Sequence, residues 1–267
     1  MSVTTIAAVQ RPDSGAAHSL WLADGGRRAL TRVVLPILLL AAVAWVYTTQ
    51  MSGSMSMTFA AFTSSWLVMM VAMMLPAVAP VVALYVMAAR RGVVASVPIF
   101  LAGYLLVWAV SSLPAYAMSR AVSEPLMRGS PWLARLAGAA LLTAAVYQLT
   151  PWKDVCLRHC RSPLSFFLSR TRGLSQNRDA FTAGATHGLY CLGCCWALMA
   201  VLIVLGGMQL GWALVLAAVI TVEKLAPWGA LAARLTALTA AGVGIALIAA
   251  PALLQHLVTV PVVTTPM

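Results

Sequence analysis

Residues 181–206 read FTAGATHGLYCLGCCWALMAVLIVLG, a run without one Asp, Glu, Lys or Arg. A helix rises about 1.5 Å per residue, so roughly 20 apolar residues cross the ~30 Å hydrocarbon core of a bilayer. Six further runs of this kind lie near residues 33–49, 62–89, 93–119, 132–149, 208–228 and 229–250. The sequence therefore predicts an all-α fold, a polytopic transmembrane bundle of about seven helices. Composition points the same way: 62% of the 267 residues are hydrophobic and 9% charged, a balance that excludes an ordinary soluble domain. Pro76, Pro80, Pro98 and Pro114 fall inside these runs, and helices in lipid tolerate proline because neighbours satisfy the freed backbone groups.

The net charge of +11 is informative through its placement. Lys and Arg crowd alternate flanks of the runs: Arg27, Arg28 and Arg32 before the first, Arg90 and Arg91 after the second, and Lys153, Arg158, Arg161, Arg170, Arg172 and Arg178 between the fourth and fifth. The opposite flanks carry only Arg120, Arg128 and Arg135. Basic loops stay cytoplasmic, so the N-terminus and residues 150–180 are expected there, with residues 50–61 and the C-terminus outside. The division that follows is a cytoplasmic N-terminal tail over 1–32, one transmembrane domain over 33–250 and a short C-terminal tail over 251–267. Ala42-Val43-Ala44 has the look of a signal-peptidase site, but the basic lead-in is longer than an ordinary signal peptide's. The basic loop lacks interleaved aromatics that would stack bases, so no nucleic-acid partner is expected.

All five cysteines fall in two clusters, Cys156 and Cys160 in one, Cys191, Cys194 and Cys195 in the other. At 100° per residue, His187, Cys191 and Cys194 share one face of a helix, with Cys195 beside them. Cys191 lies near mid-membrane, where thiolates are costly unless something positive neutralises them. A metal ion does so. Thiolate and thioether ligands select copper(I), and thiolate with imidazole also suits zinc. Soft donors abound in the 14 methionines: Met51, Met55 and Met57 in the first loop, and Met69, Met70, Met73 and Met74 along the second run. Met73 and Met74 are candidate ligands at a depth like that of Cys191, with helix packing as the competing role.

Cys156, His159 and Cys160 follow the fourth run at the cytoplasmic interface, where a reducing compartment keeps thiols free and metal capture or hand-over is the chemistry they offer. Glu223 and Lys224 close the sixth run. Ionisable residues at such depth are functional or paired, and Lys224 is a natural counter-charge for an anionic thiolate site.

Together, Ala72-Met73-Met74-Leu75-Pro76, Tyr147-Gln148-Leu149-Thr150-Pro151-Trp152-Lys153 leading into Cys156-Leu157-Arg158-His159-Cys160-Arg161-Ser162-Pro163, the stretch from His187 to Met199, and Glu223-Lys224 carry a resemblance over most of residues 60–250. The chain resembles a bacterial family of predicted metal-binding integral membrane proteins, a domain of unknown function. It departs from that pattern at Ala77, Val81 and Gln209, where the family tends to have Ser, Met and Asn. The resemblance implies metal binding in a multi-pass protein of the bacterial inner (cytoplasmic) membrane, and no particular reaction.

The leading expectation is a transition-metal binder, for copper(I) with zinc as the second ion such ligands accept. It would pass the ion between the outer Met loop, the intramembrane Cys/His cluster and the cytoplasmic one, in contact with lipid and with a metal-donating or metal-accepting protein. With no P-loop or phosphorylated-Asp motif, transfer would be passive or partner-driven. No catalytic residue is assigned. The alternatives are a membrane thiol-disulfide oxidoreductase cycling Cys191, Cys194 and Cys195, and a structural or assembly subunit of a membrane complex.

Overall fold

The computed structural model describes residues 24–51, 58–88, 97–127, 131–161, 177–205 and 210–253. They form eight helices with no strand among the described residues: α1 (Asp24–Met51), α2 (Phe59–Ala88), α3 (Val97–Met127), α4 (Pro131–Gln148), α5 (Pro151–Arg161), α6 (Asn177–Val204), α7 (Leu210–Leu225) and α8 (Gly229–Ala249). The all-helical expectation holds. Among the described residues five helices, α1, α2, α3, α6 and α8, are long and apolar enough to cross a membrane, and α4 with α5 makes a sixth as a pair bent by 67°.

Helix α7 is described over 16 residues, about 24 Å. It stops at Leu225, one residue before Ala226-Pro227, because the residue ahead of a proline is pushed out of the helical region. The fourth run ends with α4, as expected, and the chain bends at Leu149-Thr150. Pro151 then opens α5 at the first helical position, where its missing N–H is no loss, and Thr150 Oγ1 caps it by accepting from Lys153 N at 3.4 Å.

Helices α2 and α6 form the centre. Of their most apolar windows 72% and 67% are buried, against 22–28% for α1, α3 and α8. Helix α6 packs on α3, α4, α5 and α7, and α2 on α1, α3 and α7. The α3–α6 contact is backbone-close: a Cβ on Gly184 would collide with the Phe100 carbonyl, and one on Gly103 with that of Phe181. Small residues permit such approach where lipid gives no hydrophobic drive between helices. Outward, Leu35, Leu39, Val43 and Val46 of α1 are exposed, an apolar exterior suited to hydrocarbon.

Helix α5 is amphipathic. Lys153, Leu157 and Cys160, spaced four and then three apart, form its buried stripe, and this stripe lies against α6 and α7. Met55 and Met57 lie outside the described residues, as does the side chain of Met51.

Candidate metal centre

The two cysteine clusters, kept apart in the sequence reading, meet. Because α5 lays its buried stripe on α6, Cys160 Sγ comes to 4.0 Å from Cys194 Sγ. Cys156, one turn earlier and half-buried, rests against the α6 backbone, where a Cβ on Gly193 would stand 2.8 Å from its sulfur. Only glycine there admits the sulfur. Helix α4 joins the same stretch of α6 through Tyr147, whose hydroxyl donates to the Gly193 carbonyl.

Cys191, Cys194 and Cys195 are all buried on α6. The thiols of Cys194 and Cys195 donate to the Cys191 carbonyl at 3.1 and 3.0 Å. Cys191 Sγ lies beside a cation: Lys224 Nζ donates to it at 2.9 Å, and Tyr104 Oη lies 3.1 Å from it. The same ammonium is 3.8 Å from Met74 Sδ, so the end of α7 bridges α2 and α6. Lys224 is 5% exposed.

The neighbouring Glu223 turns to the opposite side. Its carboxylate accepts from Lys153 Nζ at 2.6 Å and from Gln148 Nε2 at 2.9 Å, with Lys153 and Glu223 side chains each 2% exposed. The ends of α4, α5 and α7 are thus tied at the bend by one buried carboxylate. At the far end of α5, Arg161 Nη2 donates to the Ala226 carbonyl at 2.6 Å and to that of Pro227 at 3.2 Å, satisfying acceptors that the end of α7 leaves open.

Of the remaining sequence candidates, His187 lies within electrostatic reach of Cys191, Cys194 and Lys224. His187 is buried, but its ring sits beside Phe100 and Tyr104, with centroids at 6.3 and 6.1 Å. His159 is half-buried and stacks on Tyr190 at 4.2 Å with the rings 7° apart, its Nδ1 2.8 Å from the Val155 carbonyl. Met73 is buried on the same helix as Met74. Among the described residues no group of three or more His, Cys, Asp or Glu is arranged to hold a metal, although Cys160 and Cys195 each lie within contact of Cys191 and Cys194.

Sequence reasoning did not single out Tyr104, nor the roles of Gln148 and Lys153. Gln148 and Lys153 carried a signal, being strongly polar residues against an apolar run. Tyr104 carried none, since a tyrosine in such a helix reads as packing.

A pair of soft thiols brought together from two helices, with a thioether and an ammonium nearby, is chemistry for a soft cation of low coordination number. A family model, PpoB2, described as copper chaperone, matches residues 63–247. No curated protein and no solved structure matches the chain.

Proposed function

Since the chain belongs to the PpoB2 copper chaperone family, we propose that it carries cuprous copper as cargo at the α5–α6 contact, within the membrane, and hands it to a protein partner. The observation that carries this reading is the 4.0 Å between Cys160 Sγ and Cys194 Sγ. A disulfide needs about 2.05 Å. Two thiolates sharing a metal at about 2.3 Å stand roughly 3.8–4.6 Å apart, depending on the angle at the ion. Zinc, the second ion such ligands accept, prefers four of them held tetrahedrally, and no such group is arranged among the described residues. Met74 and Met73, Cys191, Cys195 and His187 surround the pair as further stations or ligands. Cys156 and His159, on the flank of α5, are the side from which a partner approaches.

The test is X-ray absorption on copper-loaded protein purified in detergent. The expected result is about one copper per chain with sulfur neighbours at about 2.2–2.3 Å; a shell of oxygen and nitrogen alone overturns the reading. The thiol-disulfide alternative is weaker, because the adjacent Cys194-Cys195 pair would close only with strain.

In this reading residues 33–250 are one membrane domain of the bacterial inner membrane, flanked by the tails 1–32 and 251–267, with the N-terminus cytoplasmic as the basic flanks require. Reporter fusions at Ser54 and Ser175 check the orientation. Alkaline phosphatase is expected to be active at Ser54 and inactive at Ser175, and activity at Ser175 reverses the assignment.

A further inference from the structure

We propose that the buried ammonium of Lys224 is a charge filter, which makes the thiol site accept a monovalent soft ion and refuse a divalent one. The proposal rests on the copper reading above and specifies which ion the site selects and why.

The charge count among the described residues is short. The buried ionisable groups, thiols aside, are Lys153, His187, Glu223 and Lys224. Glu223 is the one buried carboxylate of this set, and it is committed to Lys153 at 2.6 Å with Gln148 supplying a second hydrogen bond. That pair is neutral in itself. Lys224 therefore has no carboxylate to balance it, and what it faces are sulfurs: Cys191 at 2.9 Å and Met74 at 3.8 Å, with Cys194, Cys195 and Cys160 also within reach of its charge.

Uncompensated charge is expensive away from water, so the bound state must bring Lys224 close to neutrality. Two thiolates around a cuprous ion carry one negative charge, which the ammonium cancels. Two thiolates around a divalent ion are neutral, which leaves the ammonium unbalanced. A divalent ion reaches the same balance only by drawing a third thiolate to itself, whereas two suffice for a monovalent one. Silver(I), soft and monovalent, should pass the same filter.

The experiment uses full-length protein in detergent under anaerobic reductant, comparing wild type, Lys224→Arg and Lys224→Met. Copper(I) and silver(I) affinities are read by competition with a chromophoric cuprous chelator, and zinc(II) affinity with a zinc chelator. Methionine matches the length of the lysine stem and removes the charge, so the helices are expected to stay folded. The expected result is that Lys224→Met loses copper(I) and silver(I) affinity while keeping or gaining zinc(II), so that the copper-to-zinc ratio falls roughly 30-fold or more. Lys224→Arg keeps the wild-type ratio within about threefold, because the charge stays. A ratio unchanged in Lys224→Met while copper still binds overturns the filter. So does an equal loss of both ions, which is what a purely structural lysine would give. Wild-type protein that binds no copper at all overturns instead the copper reading beneath it.

Discussion

Replacing Cys191 and Cys194 together with serine is expected to take purified protein from about one bound copper per chain to essentially none, with the helical circular dichroism unchanged. Serine nearly preserves the packing volume while exchanging a soft thiolate for a hard hydroxyl, so the loss is chemical. Cys191 is the thiol beside the ammonium, at 2.9 Å, and Cys194 the one that meets α5, at 4.0 Å from Cys160. The geometry extends the expectation to the other cluster. A Cys156→Ser, Cys160→Ser variant should lose copper as completely, because Cys160 belongs to the same place as Cys194. Had the clusters been separate stations, that variant would keep an occupied membrane site. Metal analysis of the two double variants decides the matter, and undiminished copper in either removes the α5–α6 contact as the site.

The second large effect is on stability. Changing Glu223 to alanine strands the ammonium of Lys153 in a place 2% exposed and removes the acceptor of Gln148 Nε2. Breaking one side of a buried ion pair costs about 3–5 kcal/mol, enough to lower the apparent melting temperature in detergent sharply. Removing both charges in a Lys153→Met, Glu223→Gln variant should recover more than half of that loss, since no charge is left alone and Gln148 keeps an acceptor. Equal melting temperatures for the single and double variants would mean that the pair does not hold α5 to α7.

The helices were legible in the sequence because apolar length is a local property, and residues 62–89 and 229–250 match α2 and α8 closely. What was not local was not legible. The run 208–228 holds α7, described over 16 residues and ending ahead of Pro227. The fourth run, 132–149, matches α4, but the helix beyond it, turned by 67° at Thr150-Pro151, was not foreseen as one. That turn is why the two cysteine clusters were recognised as chemistry while their meeting was not. Spacing along one helix places His187 with Cys191, yet the partner of Cys194 comes from a different helix, and only tertiary packing selects it. The place of Lys224 beside the thiols was legible as a counter-charge and its partner is Cys191, whereas the partner of the adjacent Glu223, Lys153, was hidden.

The distances along the chain between these partners set an order of assembly during synthesis. Cys160 and Cys194 are 34 residues apart, but Tyr104 and Cys191 are separated by 87 and Met74 and Lys224 by 150. A nascent chain that has emerged as far as α6 holds every cysteine and none of the cation that balances them. Until α7 is inserted, the thiols have no Lys224 and Lys153 has no Glu223, so the buried polar contacts of the core close only after residue 224 has been made.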